Sequence, residues 1–120
     1  MKVIYQTMIT KVGELAEDAL VENMFITFKQ SVPKDLEDYC FIHNHGELLC
    51  DVKAGDLLQI DGKDYPITAV GSVASHNLKE LGHVTFRFDN VTQAEYPGNI
   101  HLNGRIPTLG VNTTLVIKQN

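Results

Sequence analysis

The sequence of 120 residues predicts a mainly β fold, a closed or partly open barrel of short and mostly antiparallel strands, from three observations. β-Branched and aromatic residues gather in many short runs. Asp-Gly and Asn-Gly pairs separate some of these runs. Segments with helical character are few and brief. Short strands at close spacing bury their inner faces by curling into one barrel or sandwich.

The first predicted strand runs from Lys2 to Thr10, rich in Val3, Ile4, Tyr5, Thr7 and Ile9. Leu15 to Asn23 has helix-forming residues but must give way at once to a second strand, Met24-Phe25-Ile26-Thr27-Phe28. Pro33 to Tyr39 reads as about two helical turns, with Pro33 at the first helical position and Asp35 and Glu37 at the positive end of the dipole. Asp56 to Ile60 and Tyr65 to Val70 flank Asp61-Gly62, a hairpin signal because both central residues of a type I′ turn need positive φ. Pro66 lacks an N–H, which predicts an edge position or a strand start.

Asn77 to Leu81 predicts a further helical turn stopped by Gly82. His83 to Phe88 alternates as a strand. Asn99 to Leu102 meets Asn103-Gly104, a second predicted hairpin, and Thr113 to Lys118 closes the chain as a last strand.

Length predicts one domain, residues 1–120, and a hydrophobic share of 43% suffices for one modest core. No apolar run approaches the roughly 18 residues of a membrane span. The start lacks a signal-peptide apolar core, so the expected location is cytosolic. A net charge of -5 argues against gripping nucleic acid or acidic membranes. Asp35, Glu37, Asp38, Glu47 and Asp51 crowd one stretch and would suit a basic protein partner or a solvated face. Cys40 and Cys50 are too few for a disulfide scaffold and read as inert core thiols.

The chemistry-bearing segment is Phe41-Ile42-His43-Asn44-His45-Gly46-Glu47. In an extended chain, positions i and i+2 share a face, placing His43 and His45 roughly 6–7 Å apart. Gly46 then invites a turn. Three readings follow. A metal site would use His43, His45 and His101 in a cupin-like arrangement, since imidazole suits zinc, copper and iron. A nucleophilic imidazole would carry a phosphoryl group as a phosphoramidate, and a docking protein would require it to be exposed. An ordinary turn with two solvated histidines is the third.

Of the other histidines, His76 reads as solvated or capping, and His83 as hydrogen-bonded in the structure or as support for the site. His101, between Ile100 and Leu102, reads as solvent-facing. No phosphate-binding loop, nucleophile elbow or paired-cysteine zinc motif is present. Any phosphoryl group must therefore come from another protein.

Asp35-Leu36-Glu37-Asp38-Tyr39-Cys40-Phe41-Ile42-His43-Asn44-His45-Gly46-Glu47-Leu48 resembles a signature of the glucitol/sorbitol-specific IIA component of the bacterial phosphotransferase system. Tyr65 to Ala74, Asn77 to Thr85, Tyr96-Pro97-Gly98 and Val3 to Thr7 are similar to further stretches of that family. The resemblance implies a phosphorelay: the phosphocarrier HPr donates, this chain accepts on a histidine, and a IIB cysteine receives while the membrane IIC component imports the sugar. It puts the acceptor at His43 and implies no cofactor. His45, backbone N–H groups around Gly46, and His83 would support the phosphoryl oxygens. Strand edges predict a possible homodimer. Asp38 and Glu47 must either point away or hold the far imidazole nitrogen.

Overall fold

The computed structural model describes all residues, Met1–Asn120. The strands are β1 (Lys2–Val12), β2 (Met24–Lys29), β3 (Phe41–His43), β4 (Leu57–Ile60), β5 (Lys63–Val70), β6 (Val84–Arg87), β7 (Asn99–Leu102) and β8 (Thr114–Gln119). Helical segments are a 3-10 helix over Ala16–Glu22, α1 (Lys34–Glu37) and α2 (Ala74–Leu81).

The strands close into a barrel in the order β1-β3-β2-β6-β7-β5-β4-β8. Only β2–β3 and β6–β7 run parallel; the other pairs are antiparallel. A parallel pair needs a crossover rather than a tight turn. Residues 30–40, with α1, supply one crossover, and residues 88–98 supply the other. Closure removes the sheet edges on which the sequence suggests a dimer.

Alternating inward residues fill the barrel. Phe25 stacks on Phe86 at 4.9 Å and meets Phe41 edge-on at 6.0 Å. Ile4, Ile9, Leu58, Ile100 and Leu102 are fully buried around them. Each such side chain contributes roughly 1.5–3 kcal/mol on burial.

The Asp61-Gly62 hairpin is present, with φ of 47° and 87°. The Asn103-Gly104 hairpin is not. Past Gly104 the chain runs without strand to β8, which pairs with β1 and β4 instead of β7. Pro66 lies inside β5 opposite Leu57, the first residue of β4, where the missing donor falls at the end of that ladder. Pro33 is the N-cap of α1, one position earlier than the sequence predicts. The ambiguous stretch forms the 3-10 helix, which Asn23 ends with φ 59° before β2 begins. Gly82 stops α2 with φ 60°, but the helix starts at Ala74, three residues before the predicted turn.

Candidate functional site

β3 is three residues long and ends at His43. It pairs with β1 through Ile9, and beyond it the chain still tracks β1, Asn44 N–H donating to Met8 C=O at 3.1 Å. The expected turn at Gly46 is absent: the chain kinks at His45, with φ 55°, and runs on along β1, where Leu49 N–H donates to the Ile4 carbonyl at 3.0 Å. Gly46 instead allows a close approach. A Cβ there would lie 2.3 Å from the Gln6 carbonyl oxygen. Only glycine lets the chain pass so close to β1. The kink at His45 brings the two imidazoles to 5.9 Å between ring centres.

The sequence predicts an exposed His43, yet the ring is 1% exposed. The reason is its position at the inner end of a three-residue strand whose every side chain is buried. Its Nε2 donates to the Gly82 carbonyl at 2.8 Å, because a carbonyl can only accept. The His45 backbone N–H donates to Nδ1 at 3.2 Å, and the Thr7 hydroxyl lies 2.8 Å from the same nitrogen. The two bonds agree on one tautomer: proton on Nε2, lone pair on Nδ1. Burial pushes the His43 pKa down to about 4; the Gly82 carbonyl opposes this and nearby His45 adds to it. The ring is therefore neutral at pH 7, with one nitrogen unprotonated.

Gly82 holds this ring from outside. A Cβ there would stand 2.6 Å from His43 Cε1. Its carbonyl also accepts from the Thr27 hydroxyl at 2.9 Å, which fixes its direction. The site thus joins β1, β3, β2 and the α2–β6 turn.

His45 is half-buried. Its Nε2 donates to the Lys79 carbonyl of α2 at 3.0 Å, and its Nδ1 lies 2.8 Å from the Tyr5 hydroxyl. Burial pushes the Tyr5 phenol well above its ordinary range, so it stays a protonated donor. His45 therefore clasps the Asn44–Glu47 segment to α2 beside His43. Beside His43, a cavity of about 10 Å³ touches Tyr5, Thr7 and Thr27 as well. That is room for about one water, far below the roughly 300 Å³ of a small-molecule pocket.

Of the acids that crowd the sequence, neither Asp38 nor Glu47 bonds either imidazole. Thr7 and a carbonyl occupy His43 instead. Glu37 pairs with Lys11. His83 follows Gly82 but bonds the Thr27 carbonyl through Nδ1 at 3.1 Å and packs on Phe28. His76 lies on α2 and is exposed.

His101, predicted to face solvent, is 1% exposed. The 88–98 crossover covers its strand face, and Nδ1 donates to Asp89 at 2.8 Å. The cupin-like set does not form: no three His, Cys, Asp or Glu side chains gather to hold an ion, and the third histidine is committed to Asp89. Cys40 is a free, buried thiol whose pKa burial raises to about 11, and Cys50 is free and half-buried.

Sequence reading misses Tyr5, Thr7, Asn44 and the Gly82 carbonyl. A signal exists for one of them. Tyr5, Thr7 and Ile9 form the buried face of β1, and a threonine there is a polar residue in an apolar register.

The profile of a family described as the PTS system glucitol/sorbitol-specific IIA component matches residues 4–116. The chain is similar to the PTS system glucitol/sorbitol-specific EIIA components of Shigella flexneri and Escherichia coli (strain K12). Each is 54% identical over 107 residues, spanning 89% of this chain and 87% of the relative. Among solved structures it is similar to the PTS system IIA component from Enterococcus faecalis V583. The TM-score is 0.83 at 29% identity, over 92% of this chain and 96% of that one.

Proposed function

The chain belongs to the glucitol/sorbitol-specific IIA family of the phosphotransferase system, and from that premise we propose that it carries a phosphoryl group on His43, from phospho-HPr to the cognate IIB component. Residues 1–120 act as one IIA domain in the cytoplasm, and the imported sugar is glucitol (sorbitol). The P–N bond of the donor breaks as the His43 lone pair forms its own. The transfer to a IIB cysteine then exchanges that P–N bond for P–S.

The observation that carries this reading is the state of His43. It is neutral at pH 7, with one nitrogen anchored and the other bearing a lone pair. A nucleophilic imidazole needs that state. The absence of a ligand-sized cavity beneath it fits a carrier whose substrates are proteins. Because the ring is 1% exposed, transfer requires the Asn44–Glu47 segment to part from α2, where His45 holds Lys79. The tie to α2 is the His45–Lys79 hydrogen bond, and breaking it is within the reach of local fluctuation or a docking partner.

One observation favours a second reading, with His45 as acceptor: it is the half-exposed ring of the pair. Enzyme I, HPr and labelled phosphoenolpyruvate separate the two. On the His43 reading, His43→Gln takes up no acid-labile label and His45→Gln takes it up more slowly than the parent. The reverse pattern would move the acceptor to His45, and full labelling of both variants would remove it from this site.

A further inference from the structure

Taking His43 as the acceptor, as above, we infer that the Thr7 hydroxyl is a positioning residue for phosphoryl transfer, switching its single proton between His43 Nδ1 and Asn44 Oδ1. Thr7 is 4% exposed on the inner face of β1. Its Oγ1 lies 2.8 Å from His43 Nδ1 and 3.0 Å from Asn44 Oδ1. The Met8 N–H donates to the same Asn44 oxygen at 3.0 Å, so the amide presents its oxygen, not its nitrogen, to Thr7.

A hydroxyl has one proton and two lone pairs. Pointed at Nδ1, the proton satisfies the tautomer in which Nε2–H bonds Gly82. Swung to Asn44, it turns Oγ1 into an acceptor for Nδ1–H. Nδ1 is thus satisfied whether it bears a proton or a lone pair. This matters because transfer changes what each nitrogen must do. Attack by Nδ1, the bare nitrogen of the resting tautomer, requires Thr7 to withdraw its proton to Asn44, while Nε2–H stays on Gly82. Attack by Nε2 requires the other tautomer, whose Nδ1–H then needs Oγ1 as its acceptor. The donor ring leaves as neutral imidazole.

No other side chain duplicates this. The His45 N–H at 3.2 Å can only donate, so it serves only the tautomer with a bare Nδ1. Neither Asp38 nor Glu47 reaches the ring. Valine, with the same shape as threonine, would remove the switch and leave the space filled.

The test uses the full chain with Thr7→Val, Thr7→Ser and His43→Gln, reading the initial rate of label uptake from phospho-HPr and the melting temperature. Thr7→Val should slow uptake about tenfold or more, the scale of one lost buried hydrogen bond to the reacting group. Thr7→Ser should come within about threefold of the parent, because serine restores the hydroxyl. Uptake by Thr7→Val at the parent's rate, or by Thr7→Ser as slowly as Thr7→Val, overturns the role of Thr7. If those results come with a blank His43→Gln, the acceptor reading stands alone. If His43→Gln takes up label like the parent, both fall together.

Discussion

His43 and His101 are equally buried, each 1% exposed, and each sits on a short barrel strand. Their surroundings are opposite. His43 is bounded by a hydroxyl, a backbone N–H and a carbonyl, with no carboxylate in reach. His101 gives its Nδ1 to Asp89, whose side chain is 37% exposed, and its buried Nε2 has no protein partner. β6–β7 register puts Arg87 beside it. Neutral partners let an imidazole change tautomer without stranding a charge. A carboxylate ties the proton to one nitrogen. Equal burial therefore gives one neutral ring with a bare nitrogen, which we propose as the phosphoryl carrier, and one that braces a crossover loop.

The contrast breaks most sharply on labelling. His43→Gln should cut uptake of phosphoryl label at least about a thousandfold, the scale for loss of a nucleophile. His101→Asn should label within a few-fold of the parent. Comparable loss in both variants would mean that burial alone, and not the neutral cage, marks the functional ring.

Acid should test the surroundings of His43 next. Burial depresses the His43 pKa to about 4 from an ordinary 6.5. Between those values the unfolded chain binds a proton that the folded one refuses, so stability falls as pH drops through that window and levels off below about pH 4. Above about pH 6.5 the contribution is pH-independent. The loss is of order 3 kcal/mol. Urea denaturation of the parent and of His43→Gln from pH 7 to 4 checks this: the gap between them should narrow by that amount as acid is added. A constant gap would show the His43 ring charging freely in the fold.

Gly82→Ala probes the cage from its outer wall. A residue other than glycine at φ 60° costs about 1–2 kcal/mol. The new Cβ would also press on the His43 ring at 2.6 Å and on the Lys29 nitrogen at 3.1 Å. We expect a stability loss of about 2 kcal/mol in thermal or urea unfolding, with slower label uptake, because the carbonyl that anchors Nε2 must shift. A stability loss with unchanged uptake would show that the anchor is dispensable.

How much of this the sequence carried depends on the range of the interactions. The Asp61-Gly62 hairpin, the stop at Gly82 and the brief helices were legible because each is set by one or two residues' own backbone preferences. The His-x-His pair was legible as a site, and its rings do meet at 5.9 Å. How they meet was not: periodicity placed them on one strand face, whereas a left-handed His45 folds the second ring over beside the first. Burial of His43 and His101 was illegible because it comes from segments distant in sequence, the α2–β6 turn over the first and the 88–98 crossover over the second, which no local pattern encodes. The Asn103-Gly104 pair misled for the same reason, since a turn signal does not name the strand's partner. Thr7 and Gly82 enter the site from 36 and 39 residues away in sequence, through a hydroxyl and a carbonyl that carry no motif.

The smallest effect is the most discriminating for the second ring. Asp89→Asn keeps the side chain's size and an acceptor oxygen for His101 Nδ1–H but removes the charge. Because Asp89 is 37% exposed, solvent screens the pair, and the loss should be about 1 kcal/mol or less in urea unfolding at pH 7. Phosphoryl uptake should not change, since no bond links Asp89 or His101 to Thr7, His43 or His45. A drop in uptake without a matching drop in stability would reveal coupling across the barrel, carried by β6 from Arg87 back to the Gly82 turn. His101 would then belong to the transfer machinery, and the division between a reacting ring and a bracing ring would give way to one polar network spanning both.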